Sequence, residues 1–177
     1  MRRLHKDQRG FTILELVIVM LLTGLITTAI TTTFFQVFEI NARTANHMTA
    51  VSQVQQAGKQ VSEDILEAQT VTAGDTAGFP LTLNWTDSQT DEEHEVIYSL
   101  EEMASGAFQI LWRKYYFESV LNSTTKVAEY INLAETSCEC SCDGCSCAGL
   151  VLTFTVTATV GDESETRVYQ VKPRPDS

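Results

Sequence analysis

Between Leu16 and Phe38 lie 23 residues without a formal charge, and the residue directly before them is a carboxylate, Glu15. As a helix such a run is about 35 Å long, enough to cross a hydrocarbon core of roughly 30 Å. An ionisable side chain at bilayer depth costs on the order of 2.5 to 3.5 kcal/mol and is normally paired or functional. Glu15 therefore needs a partner, and the uncharged helix supplies none. Upstream, the leader MRRLHKDQRG carries Arg2, Arg3, Lys6 and Arg9 against a single acid, Asp7. The positive-inside tendency keeps that end in the cytoplasm and puts everything after Phe38 outside. A cleavable secretory signal is a poor match, since its apolar region spans about 7 to 15 residues and ends at a small-residue site.

A short basic leader ending in Gly10, followed by Phe11, the hydroxyl residue Thr12, the aliphatic Ile13 and Leu14, and then Glu15, resembles the class III signal of type IV prepilins and type II secretion pseudopilins. The resemblance implies that a prepilin peptidase cuts between Gly10 and Phe11 and methylates the new amine of Phe11. It also implies a partner for Glu15, the N-terminal amine of a neighbouring subunit. A charge pair in hydrocarbon attracts strongly, and breaking it strands an ion, so such pairing rewards correct axial register.

The chain is expected to divide into a leader, residues 1–10, a transmembrane or filament-core helix, residues 11–38, and an exported head, residues 39–177 that includes the second half of the helix. The roughly 140 residues of the head amount to one domain. Taking four bases and one acid out of the 12 Lys and Arg and 23 Asp and Glu leaves 8 against 22, formally −14 before termini. Such a surface repels nucleic acid and anionic lipid.

Ala50, Val54, Ala57, Val61, Ile65 and Ala68 recur at spacings of three and four, with Ser52, Gln55, Gln56, Lys59, Glu63 and Asp64 off the stripe. One helix is expected from Phe11 to about Thr70, its apolar stripe buried against a sheet, ending near Ala73-Gly74-Asp75. Gly58 is a weak point in it, costing up to about 1 kcal/mol. In the membrane half, Gly24 and Thr23, Thr27, Thr28, Thr31, Thr32 and Thr33 are small and polar at intervals. Their hydroxyls either bond across a bundle of helices or return to their own helix carbonyls.

Beyond the helix the pattern becomes that of short strands. Phe79 to Trp85, His94 to Leu100 and Ala107 to Tyr116 are rich in aromatic and branched residues. Leu150 to Val160 alternates, its aliphatic residues on one face and Thr153, Thr155, Thr157 and Thr159 on the other, and GDESE turns it into Thr166 to Val171. Lys126 to Leu133 fits a strand or a helical turn. The expected class is α+β, a pilin-like fold: a long N-terminal helix whose second half packs on an antiparallel β-sheet head.

The order of marks in the head is most similar to J-type minor pseudopilins and related minor pilins. It rests on Ser62, Glu63, Asp64 and Ile65 at the helix end, then Trp85, Tyr98, and Leu111 with Arg113. That resemblance implies a place in a tip complex that primes assembly.

All five cysteines, Cys138, Cys140, Cys142, Cys145 and Cys147, fall within CECSCDGCSC. Outside the membrane they read as a disulfide-stapled loop with one thiol over, and a longer pairing such as Cys138 with Cys145 or Cys147 strains the chain less than a Cys-x-Cys ring. Four thiolates also wrap zinc, copper(I) or an iron-sulfur centre, although Cys-x-Cys is not the usual zinc spacing, so no metal is assigned. Asp87, Asp91, Glu92, Glu93 and Glu95 lack the order of a calcium loop and read as a solvated acidic segment.

With no nucleophile elbow, phosphate loop or cysteine beside a catalytic histidine, the reading is no enzyme, with no catalytic residues and no cofactor. The function expected is that of a minor pilin or pseudopilin that helps initiate or cap a type IV pilus-like or type II secretion filament. Its partners are other subunits, the peptidase, an assembly platform and its ATPase, and the membrane; no nucleic acid is expected. Its place is the bacterial cytoplasmic membrane, N-terminus inside, then a periplasmic or cell-surface filament. The alternatives are a major pilin, or a signal-anchored surface domain with a metal-binding or redox cysteine cluster.

Overall fold

The computed structural model describes residues 12–104, 106–140 and 150–174. Its first element is a single helix, α1 (Ile13–Glu67), of 55 residues. Eight strands follow: β1 (Thr70–Gly74), β2 (Gly78–Thr86), β3 (Glu93–Glu102), β4 (Gln109–Phe117), β5 (Val120–Ile131), β6 (Ser137–Cys140), β7 (Leu152–Val160) and β8 (Glu163–Val171). The α+β layout of a long N-terminal helix and an antiparallel sheet is as expected from the sequence. The chain divides between Ala42 and Arg43 into two compact units.

In the first unit the described side chains are exposed, including Leu16, Val17, Leu25, Ile30 and Phe38. The helix is long and apolar enough to cross a membrane, and an aqueous surface of this composition would be strongly unfavourable. The hydroxyls of Thr23, Thr27, Thr28, Thr31, Thr32 and Thr33 each donate to a carbonyl three or four residues back, between 2.7 and 2.9 Å. Of the two readings of these threonines, the intrahelical one accounts for their donors. It satisfies the hydroxyl without any other molecule.

In the second unit the strands run β1-β2-β3-β4-β5-β7 by hydrogen bonding, all antiparallel, with β6 and β8 both paired to β7. The helix stripe Ala50, Val54, Ala57, Val61, Ile65 and Ala68 is fully buried. It packs in one core with Leu81, Leu83, Val96, Tyr98, Leu111, Leu152, Phe154 and Val156. Small residues at 50, 57 and 68 let the helix backbone approach the sheet, while the branched ones fill the space between. Gly58, expected to weaken the helix, is instead required by packing: a Cβ there would lie 2.0 Å from the ring of Tyr169 on β8. Tyr169 also donates its hydroxyl to the Val54 carbonyl at 3.4 Å.

Several sequence boundaries move. The helix ends at Glu67, and the expected terminal turn is strand β1. Gln69 starts that strand pairing early, its N–H donating to the Asn84 carbonyl at 2.9 Å and its side-chain oxygen accepting from the Thr86 N–H at 3.1 Å. The segment from Lys126 to Leu133 is strand as far as Ile131, followed by a 3-10 turn, Leu133–Glu135. β7 starts at Leu152 rather than Leu150. Its threonine face is not wholly exposed: Thr157 is buried because that turn lies over it, and its hydroxyl bonds the Glu135 carbonyl and the Thr166 hydroxyl.

Candidate functional site

The N-terminal site begins with Thr12, which stands just before the helix. The Glu15 N–H donates to the Thr12 hydroxyl at 3.3 Å, and the Leu16 N–H donates to the Thr12 carbonyl at 3.2 Å. A threonine at the cap followed three residues later by glutamate is the sequence pattern of a capping box. Thr12 thus fixes where the helix starts, and Glu15 lies in its first turn, where the helix dipole favours negative charge. The carboxylate is exposed on an uncovered apolar helix. Gly10 and Phe11, the expected processing site, lie outside the described residues.

A second polar centre sits where α1 meets the sheet. Sequence spacing puts Asp64 off the apolar stripe, but it is buried, 5% exposed. Its carboxylate accepts from Arg113 Nε at 2.6 Å and Arg113 Nη2 at 3.1 Å, from the Tyr98 hydroxyl, and from Gln60 Nε2 at 3.5 Å. Hydrogen bonding to Asp64 raises the Arg113 pKa above its ordinary value despite partial burial. Burial, reinforced by the nearby Asp64 charge, raises that of Tyr98. The group is therefore an ion pair with a neutral phenol donating into it. It ties the last turns of the helix to β3 and β4 and presents no free nucleophile.

Three of the marks behind the J-type likeness, Asp64, Tyr98 and Arg113, thus meet in one cluster, and Leu111 lies in the core beneath. Trp85 stands apart, stacked on His94 with ring centres 5.2 Å apart and planes 8° from parallel. His94 Nδ1 lies 2.8 Å from the Tyr115 hydroxyl, and the Arg113 guanidinium lies 5.5 Å from the centre of the Tyr115 ring. Composition gives no sign that these rings converge. The cross-strand registers Trp85 to His94 and His94 to Phe117 bring them together.

The cysteine run is described only in part. Cys138 is a free thiol, which departs from its expected pairing with Cys145 or Cys147. On β6 its side chain points into the core, 3% exposed and opposite Phe154, while the loop cysteines follow Cys140. Its N–H donates to the Ala77 carbonyl at 2.9 Å, and Gly78, at φ +83°, admits the Cys138 carbonyl so closely that a Cβ would lie 2.1 Å from it. Burial, with Glu139 adding to it, pushes the Cys138 pKa up to about 12, so the thiol is protonated and unreactive near neutrality. Cys140 is not a free thiol. Cys142, Cys145 and Cys147 lie outside the described residues.

In the acidic segment, Asp87 accepts the Gln89 N–H at 2.8 Å, and Thr90 donates to Glu92 at 2.9 Å. Among the described residues, no three His, Cys, Asp or Glu side chains gather as a metal site would require.

No curated protein and no solved structure matches the chain. Residues 5–31 match the family model described as the prokaryotic N-terminal methylation motif. The match covers Gly10, Phe11 and Glu15 and the start of the apolar helix, and it points to a membrane-anchored structural subunit rather than a catalyst. In this N-terminal segment the chain is similar to the type IV prepilins and pseudopilins.

Proposed function

We propose that this chain is a minor pilin or pseudopilin, which prepilin peptidase cuts between Gly10 and Phe11 and methylates at Phe11, and which helps to initiate or cap a filament. The observation that carries the reading is one carboxylate, Glu15, in the first turn of an uncovered apolar helix inside the methylation motif. Cleavage would create an amine about one turn before Glu15, and the Thr12 cap holds the spacing between them. In a bundle of such helices, the Glu15 of one subunit neutralises the amine of a neighbour. A misplaced register leaves both charges in hydrocarbon, which selects the axial step between subunits.

The basic leader keeps the N-terminus cytoplasmic and the acidic head outside. Other subunits, an assembly platform and its ATPase draw the helix from lipid into the filament. Convergence of Asp64, Tyr98 and Arg113 supports the J-type likeness, and with it a tip position rather than bulk polymerisation. The loop after Cys140 is a disulfide-stapled connection into β7.

The test is intact-mass analysis of the protein from its native membrane, together with Glu15→Ala in the same cells. The leader should be absent, one methyl should be present, and Glu15→Ala should enter the membrane yet fail to join sheared filaments, where the parent is scarce relative to other subunits. A protein that functions with Met1 to Gly10 retained, or normal incorporation of Glu15→Ala, would overturn the reading.

A further inference from the structure

We propose that the free edge of β8 takes up an antiparallel strand from a partner protein, one that carries an acidic and a basic side chain in the order acid-x-base. β8 pairs with β7 in an unbroken register, from Glu163 opposite Val160 to Val171 opposite Leu152. Only Gly161 and Asp162 separate the two strands, so Glu163 and Val160 form a hydrogen-bonded pair. Alternation then directs the N–H and C=O of Glu163, Glu165, Arg167 and Tyr169 at β7, and those of Ser164, Thr166, Val168 and Gln170 away from it. Among the described residues no other strand pairs with β8, and no hydrogen bond reaches the backbone of those four outward positions. All four are exposed, Val168 by 58%.

A regular edge of this length invites any extended strand unless something guards it. The guard is a pair of half-buried charges. Glu165 and Arg167 share the face of Tyr169, which is the α1 side of the sheet, and Arg167 Nε lies 3.2 Å from Glu165 Oε1. An uncharged strand laid alongside would desolvate both groups without compensation. A strand with an acid opposite Arg167 and a base opposite Glu165 turns the same groups into cross-strand ion pairs, so the charges select as well as exclude. Along an antiparallel partner that order is acid-x-base. β8 itself reads Glu-x-Arg, so a second copy meets the charge order, but its geometry is wrong. β8 runs in the same direction as α1, because a Cβ on Gly161 would lie 2.7 Å from Asn46 Nδ2 and Tyr169 bonds the Val54 carbonyl. A two-fold pair of β8 strands would therefore set two helices in opposite directions, whereas chains anchored in one membrane enter it the same way. The edge lies wholly in the head, so the proposal stands apart from the reading of Glu15.

The experiment uses the full-length protein in neutral detergent micelles and two isomeric peptides, acetyl-Thr-Thr-Val-Glu-Thr-Arg-Val-amide and its charge-exchanged form acetyl-Thr-Thr-Val-Arg-Thr-Glu-Val-amide. Each bears the same uncharged fluorophore, and binding is followed by anisotropy. The first should bind saturably, and the second about fivefold more weakly. Exchanging the charges in the protein, Glu165→Arg together with Arg167→Glu, keeps the pair within β8 and should invert that preference. Val168→Pro removes an outward N–H that the fold does not use, a change that edge strands tolerate. It should leave Tm close to the parent's yet weaken the first peptide about tenfold. Equal binding of the two peptides by the parent, or an unchanged preference in the charge-exchanged protein, would overturn the proposal. So would Val168→Pro binding like the parent, since the backbone edge would then play no part. A dimeric parent that Val168→Pro makes monomeric would overturn it as well, because a second copy would then be the occupant.

Discussion

The Asp64 carboxylate and the Arg113 guanidinium, 49 residues apart in sequence, meet in a two-point contact, Nε to Oδ2 at 2.6 Å and Nη2 to Oδ1 at 3.1 Å. The fork geometry fixes the rotation of α1 about its own axis as well as its distance from β4, because a guanidinium binds a carboxylate edge to edge. With Tyr98 donating to the same oxygen as Arg113 Nε, the carboxylate is saturated.

Removing one partner should therefore cost more than removing both. Arg113→Met leaves Asp64 buried with its charge uncompensated and is expected to destabilise the head by about 3 kcal/mol. Combining it with Asp64→Leu removes the stranded charge and should recover much of that loss. Urea unfolding of the two variants checks this, and a double variant no more stable than Arg113→Met would contradict it.

Alkaline conditions should weaken the head through Cys138. Its folded pKa is raised from 9.0 to about 12, so the folded state holds the thiol proton more tightly than the unfolded chain does. That contribution is complete below about pH 9 and is lost as the pH rises toward 12, with a slope of at most about 1.4 kcal/mol per pH unit for one proton. Tyr98, raised in the same sense, extends the decline above the ordinary tyrosine range. Unfolding free energies measured from pH 8 to 11 should fall less steeply in Cys138→Ala than in the parent, and equal slopes would show that the thiol does not contribute.

Much of this architecture is legible in the chain because it is periodic. The stripe Ala50 to Ala68 reads at 3.6 residues per turn, and the alternation in β7 reads at two. Asp64 was not legible as a core residue. Its burial is stabilised by Tyr98 and Arg113, 34 and 49 residues away, and no local pattern encodes partners at that distance. Strands β1 and β6 escaped for a related reason: at five and four residues they show too few alternations, and their pairing to β2 and β7 defines them. At the N-terminus the reverse holds, since the methylation motif that takes in Gly10, Phe11 and Glu15 is a local run of sequence.

Gly58 offers a test in which helix propensity and packing give opposite signs. Propensity alone predicts that Gly58→Ala stabilises by up to about 1 kcal/mol. The added Cβ would lie 2.0 Å from the Tyr169 ring, so overpacking of about 1 to 3 kcal/mol opposes that gain. A net loss in Tm is expected, and pairing it with Tyr169→Ala should make Gly58→Ala neutral or stabilising. If Gly58→Ala raises Tm with Tyr169 in place, the contact is not a packing constraint.

The five cysteines are separable by counting thiols. Cys138 is the one the fold sequesters, and the proposed staple would put the other four, Cys140, Cys142, Cys145 and Cys147, in two disulfides. The native protein should then show no thiol reactive toward a bulky disulfide reagent, and denaturation without reductant should release one. Cys138→Ala should abolish that single thiol while leaving the native protein unreactive. Were the four loop cysteines metal ligands instead, denaturation in the presence of a chelator would release five thiols together with stoichiometric metal. A count of one therefore supports the staple, and a count of five with metal replaces it by a thiolate site, because thiolate ligands return as free thiols whereas disulfides survive unfolding.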